Sequence, residues 1–151
     1  MAAQQGHADA QADLGVKYAT GQGVAQNAEE AILWYRLAAE QGLAAAQYNL
    51  GVSYQTGEGV AQDDEEAVEW YRMAAGQGDV AAQYSLGMTY ASRPRRMQDY
   101  AEAYAWIMTA ATQGQRGTEE IRESLLRQMP FVQRESAEEF AREYQEKYVT
   151  R

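Results

Sequence analysis

The chain repeats itself at a fixed step. Leu14, Leu50 and Leu86 stand 36 residues apart, and the same step joins Gly15, Gly51 and Gly87, Tyr18, Tyr54 and Tyr90, and Trp34, Trp70 and Trp106. It continues through Ala38-Ala39, Ala74-Ala75 and Ala110-Ala111 and through Gln41-Gly42, Gln77-Gly78 and Gln113-Gly114, with no insertion. A period of about 20–50 residues marks tandem units, each burying its apolar face only against its neighbours. The letters that recur are therefore packing positions, and the charges that drift between copies are surface.

Two helices are expected in each unit. Over Ala44–Thr56, Gln47, Leu50, Gly51 and Tyr54 fall at i, i+3, i+4 and i+7, one stripe of a helix. The segment TGEGV stops it, with Gly57 suited to a left-handed cap and Gly59 to the following turn. A second helix is expected over about Asp63–Gln77, with Asp63 as N-cap, acids in the first turn, and Ala67, Trp70, Tyr71, Ala74 and Ala75 on its apolar face. Gly78 ends it and the next unit follows almost at once, which makes neighbouring helices antiparallel. A glycine inside a helix costs roughly 1 kcal/mol against alanine. Gly15, Gly51 and Gly87 therefore mark close contact between paired helices, with the tryptophan filling the seam to the next unit.

Composition removes several functions. The hydrophobic share of 46% over 151 residues is enough for a core. The net charge of −9, from 13 Lys+Arg against 22 Asp+Glu, repels phosphate backbones and anionic lipid heads, so nucleic acid is not an expected partner. No run approaches the roughly 18 apolar residues of a membrane helix, so membrane insertion is not expected. The opening MAAQQGHADA lacks the basic-then-apolar order of a signal peptide. The absence of cysteine removes disulfides, thiolate metal sites and thiol nucleophiles. No glycine-rich phosphate loop, Gly-x-Ser-x-Gly elbow or histidine dyad can be assembled, so no catalytic residue and no cofactor is assigned. His7, the sole histidine, reads as a solvated residue of a first turn, and the carboxylates of Asp63–Glu66 diverge around a helix turn. No metal site is expected from either.

A unit reading A-x-A-Q-x-x-L-G-x-x-Y-x-x-G-x-G-V and then A-x-x-W-Y-x-x-A-A-x-Q-G resembles the Sel1-like repeat family, relatives of the tetratricopeptide repeats with a longer loop inside the helix pair. Residues 46–78 carry the whole pattern, the first unit carries it equally, and the third, SLGMTYASRPRRMQDYAEAYAWIMTAATQG, carries it except in its loop. The resemblance implies an all-α protein, a right-handed α/α superhelical solenoid of three 36-residue helix-pair repeats with a C-terminal helical cap, acting as a non-catalytic adaptor or scaffold. The expected divisions are 1–6 as the end of a truncated upstream repeat, 7–42, 43–78 and 79–114 as the repeats, and 115–151 as capping helices. MAAQQG aligns with the closing AAEQG and AAGQG of the later helices, so the chain is expected to be the C-terminal part of a longer protein.

In tetratricopeptide-like stacks the concave surface is built mainly by the first helix of each pair. By position this implies Ala12, Val16 and Ala19, then Tyr48, Val52 and Gln55, then Tyr84, Met88 and Ala91, each trio on one helix line. Val16, Tyr48, Val52, Gln55, Tyr84 and Met88 are the implied partner-binding residues, suited to a peptide or helix laid in a groove. The alternative is that these side chains pack on one another or beneath the terminal helix. In the third unit Arg93, Pro94, Arg95 and Arg96 replace the TGxGV loop and need a different turn geometry. Arg93, Arg95 and Arg96 are either a loop for an acidic partner or a solvated turn.

Beyond the repeats, Thr118 is expected to cap a helix reaching Met129, with Ile121, Leu125 and Leu126 on one face. A second helix over Phe131–Tyr148 is expected to turn Val132, Phe140 and Tyr144 inward, with Ser136–Glu139 as a capping box or as helix interior. The pair reads as a cap on the last seam or, alternatively, as a partner-docking helix. The expected partner is a protein or peptide, and the expected state a monomer. The second functional reading is a regulatory or adaptor C-terminal domain of a larger enzyme or signalling protein. The compartment stays open between the bacterial cell envelope and the cytoplasm.

Overall fold

The computed structural model describes residues 2–149, with side chains from residue 6 onward. Among them every regular element is a helix: α1 Ala2–Thr20, α2 Ala28–Glu40, α3 Ala44–Thr56, α4 Asp64–Gly76, α5 Val80–Ser92, α6 Met97–Thr112, α7 Thr118–Gln128 and α8 Phe131–Tyr148. The expected division at 1–6 begins at Met1, outside the described residues, and α1 runs through Gly6 without a break. The helices divide into two compact units, Met1–Ala74 and Ala75–Arg151.

In the first unit α3 has the bounds expected from its stripe, and Gly57 ends it in the left-handed region at φ 74°. The loop beyond it closes on itself, because the Asp63 N–H donates to the Tyr54 carbonyl at 2.9 Å; the Asn27 N–H does the same to Tyr18, also at 2.9 Å. Each loop then delivers a polar cap. The Asn27 side chain accepts from the Glu30 N–H at 3.2 Å, and Asp63 accepts from the N–H groups of Glu65 and Glu66 at 3.0 and 3.1 Å. These bonds satisfy donors that a helix start otherwise leaves without partners.

The glycine positions bring the paired helices together, and the residue that exploits them is the tyrosine of the Trp-Tyr pair. A Cβ on Gly15 would stand 2.6 Å from Tyr35 Cδ1, and one on Gly51 would stand 2.6 Å from Tyr71 Cδ1. Tyr71 is fully buried, while Trp34 and Trp70 are only partly buried, with indole nitrogens that are shielded yet lack a hydrogen-bond partner. The neighbouring tyrosine lies on the glycine, which leaves the larger ring toward the edge of the core. Between repeats one and two, Arg36 donates to the Tyr54 hydroxyl at 2.7 Å and lies over its ring.

In the second unit Ile107 takes the tyrosine's place, and a Cβ on Gly87 would stand 2.8 Å from its Cγ1. The Arg93–Arg96 segment contains no left-handed residue, since among the described residues every positive-φ residue is a glycine. Asp99 orders this segment instead. Its carboxylate is buried and accepts from the N–H groups of Arg95 and Arg96 at 2.7 and 3.0 Å and from the Arg96 guanidinium at 3.2 Å. Asn27, Asp63 and Asp99 occupy the same column of the repeat. In the third copy the helix starts at Met97, so the carboxylate that caps from the N-cap in α4 reaches back from inside the first turn of α6.

Helices α7 and α8 close this unit on α6. Leu125, Met129, Ala137 and Ala141 join Ala101, Tyr104, Ala105 and Ile107 in one buried cluster. Gly117, at φ 75°, precedes α7, so Thr118 is the first helical residue and not the cap. Ser136–Glu139 lies inside α8. Val132, expected inward, is 79% exposed, because the seam of α8 is set by Ala137 and Ala141, whose small side chains admit close approach to α6. Phe140 and Tyr144 pack on the same cluster as expected.

A buried amide system follows the repeat. Gln47 Nε2 donates to the Ala39 carbonyl and Gln83 Nε2 to the Ala75 carbonyl, both at 3.2 Å, so each helix pair is tied to the end of the preceding one. Gln113 Nε2 donates to Gln83 Oε1 at 2.7 Å, and Gln41 makes the same contact with Gln11. The buried amides of Gln11 and Gln83 are thus each paired with a glutamine at the edge of the core, as buried polar groups must be.

Candidate functional site

In the first unit α1, α2 and α3 enclose a cleft of about 120 Å³ lined by Ala19, Ala28, Ala31, Tyr35, Asn49, Val52, Ser53 and Glu58. Alanines at 19, 28 and 31 leave the space, and Val52 forms an apolar wall. Glu58, in the loop that Gly57 opens, brings a carboxylate to the rim. Burial first, and then the Glu58 charge, push the Tyr35 hydroxyl above the ordinary phenol range. A cleft of this volume has room for about one side chain, and it presents an apolar wall, an acceptor carboxylate and the polar atoms of Asn49 and Ser53.

The residues implied for the concave surface fall into different settings. Val16 is 39% exposed, and Val52 lines the cleft. Tyr48 tilts against the Tyr71 ring at 5.8 Å between centroids, and Gln55 Oε1 accepts from the Tyr71 hydroxyl at 2.9 Å. Tyr48 and Gln55 therefore hold the buried tyrosine in place as well as presenting their outer atoms. In the second unit Tyr84, Met88 and Ala91 are half-buried and pack against the α6–α8 cluster. Ala12 is buried. Arg93, Arg95 and Arg96 are all exposed, and Arg96 also pairs with Asp99.

Sequence reasoning missed Tyr35 and Glu58. Tyr35 was legible only as a packing letter, and Glu58 sits at a variable position inside the glycine loop, with Gln22 in its place one unit earlier. His7 is exposed, and among the described residues no group of His, Asp and Glu is disposed to hold a metal ion. No helix there is long and apolar enough to cross a membrane.

The family model for the Sel1 repeat matches residues 8–43, 44–79 and 80–115 in three consecutive copies. The chain belongs to the Sel1 repeat family. Its fold is similar to the crystal structure of a protective antigen present in uropathogenic Escherichia coli strains displaying an SLR fold. That match has a TM-score of 0.74 and 32% identity over 97% of this chain and 39% of that one. It is also similar to a Sel1 repeat protein from Oxalobacter formigenes, with a TM-score of 0.66 and 42% identity over 73% of this chain and 44% of that one. The chain thus spans less than half the length of either of these structures. No curated protein matches it.

Proposed function

We propose that this Sel1 repeat chain is a non-catalytic interaction scaffold that binds an extended or helical segment of a partner protein along α1 and α3 of its first unit. Sel1 repeat solenoids are generally protein-interaction scaffolds. The observation that supports the reading is the cleft bounded by Val52, Ala19 and Glu58, which has room for a single side chain. A lysine or arginine fits it, with its methylene stem on Val52 and the alanines and its cation at Glu58. The acidic surface, 22 Asp+Glu against 13 Lys+Arg, steers such a basic segment toward the chain.

Panning a random peptide library against the chain tests this. Enriched peptides sharing one basic residue, with affinity reduced roughly tenfold or more by Glu58→Gln and by Val52→Asp in variants of unchanged helicity and melting, support the reading. Peptides whose binding neither substitution affects overturn it, and so does a library that yields no binder.

A further inference from the structure

Helix α8 lies on one face of α6, and the repeat presents the same face a second time without such a helix. On α6 this face is Glu102, Ala105, Trp106 and Thr109. The Tyr144 hydroxyl donates to Glu102 at 2.6 Å, and the Trp106 ring lies 4.7 Å from that of Tyr144 and 5.1 Å from that of Tyr148. Gln145 Nε2 reaches the Met108 carbonyl at 3.5 Å. Ala105 and Thr109 are fully buried and Trp106 is 4% exposed.

The positions two repeats earlier are Glu30, Leu33, Trp34 and Leu37 on α2, so the carboxylate and the indole are both kept. There Leu33 is 56% and Leu37 45% exposed, and Trp34 is only partly buried. Helix α3 follows α2 as α7 follows α6, and it leaves these side chains in solvent. Two leucines and a tryptophan within two turns, beside a carboxylate, form a larger apolar face than the one α8 covers.

We infer that the Leu33–Trp34–Leu37 face of α2 is a docking surface for an amphipathic helix of a partner protein carrying aromatic residues at i, i+4 and i+8, the central one a tyrosine. The occupant's chemistry is read from α8, whose Tyr144 and Tyr148 lie against Trp106 on the equivalent face of α6, with Phe140 one turn earlier stacked on Tyr144. The Glu30 carboxylate accepts the tyrosine hydroxyl as Glu102 does, and the leucines pack between the aromatic rings. This surface is separate from the Val52 cleft and does not depend on it.

The probe is a labelled peptide of residues 131–149, titrated into the full chain and into Leu33→Glu/Leu37→Glu. Both substituted residues are exposed, so the fold survives the change, and circular dichroism checks it. A Met73→Glu variant, altered at the exposed α4 position equivalent to Leu37, controls for added charge. Saturable binding that falls at least roughly tenfold in the double variant and not in the control supports the assignment. No binding, or binding that the double variant retains, overturns it, since a peptide that only displaces the chain's own α8 is insensitive to residues 33 and 37. Sedimentation of the free chain completes the test: self-association abolished by the double variant identifies a second copy as the occupant and overturns the partner helix.

Discussion

The Tyr71 ring occupies the space that a side chain on Gly51 needs: a Cβ there would stand 2.6 Å from Tyr71 Cδ1 and 3.3 Å from the Ala67 carbonyl oxygen. Replacing a helix glycine with alanine ordinarily gains about 1 kcal/mol, and forcing atoms into a packed core costs about 1–3 kcal/mol. Tyr71 is fully buried and its hydroxyl is held by Gln55, so the ring has nowhere to go and the packing cost prevails. Gly51→Ala is expected to lower stability by up to about 2 kcal/mol in urea denaturation. Gly6→Ala, where a Cβ meets nothing within 4 Å, is expected to be neutral or slightly stabilising. Equal effects at the two sites would refute the account of the glycine column.

The same relationship ranks the Trp-Tyr pair. Tyr71→Ala empties a fully buried site and removes the ring on which Gly51 and Tyr48 rest, a loss of about 3–5 kcal/mol by analogy with other buried aromatics. Trp70 is only partly buried, and Trp70→Ala is expected to cost clearly less. Matched denaturation curves decide the order, and a larger loss at Trp70 would restore the tryptophan as the principal packing residue.

Much of this was legible in the sequence because tandem repetition is a packing code. The 36-residue step, the bounds of α3, the Gly57 cap and the Asp63 cap all followed from letters that recur at one position. What stayed hidden depends on contacts made across space. Adjacent aromatic residues such as Trp70 and Tyr71 point about 100° apart on a helix, and which of them meets the glycine is decided by the facing helix. Val132 follows the same rule: a helical period allows several apolar stripes on α8, and close approach to α6 selected the one with Ala137 and Ala141. The cleft was half visible. Val52 and Ala19 lay on the expected lines, whereas Glu58 belongs to a loop whose side chains vary between copies.

Asp99 gives the third repeat a dependence on acid pH. Burial by itself raises its pKa, but the N–H groups of Arg95 and Arg96 and the Arg96 guanidinium outweigh burial and hold it below the usual 3.8. A folded-state pKa below the unfolded one stabilises the protein above the unfolded pKa, and the contribution disappears as pH falls through the folded value. Asp99→Asn is therefore expected to cost about 1–2 kcal/mol at neutral pH, with the gap to the parent chain narrowing below about pH 4. Thermal melts from pH 7 to pH 2.5 measure it. A gap that does not change with pH would show that the carboxylate's charge is not what orders the Arg93–Arg96 turn.

Tyr144 supplies the opposite dependence at alkaline pH. Burial first, then the hydrogen bond to Glu102 and the charge of that carboxylate, raise its hydroxyl pKa well above the ordinary 10.0. The phenol therefore stays protonated in the folded chain at pH values where it ionises in the unfolded one. The unfolded state then binds fewer protons, and stability falls as pH rises past about 10. Tyr144→Phe keeps the ring against Trp106 but removes the hydroxyl, at a cost of about 1.5–3 kcal/mol near pH 7 for a hydrogen bond to a charged acceptor. It also removes this residue's share of the alkaline loss, so the stabilities of parent and variant are expected to converge between pH 9 and about pH 11. Tyr35 and Tyr104, whose hydroxyls are raised mainly by burial, titrate alike in both proteins and cancel in the comparison. Stability curves that stay parallel over that range would mean that the Glu102 contact does not hold α8 on α6, and the template for the α2 docking face would lose its polar anchor.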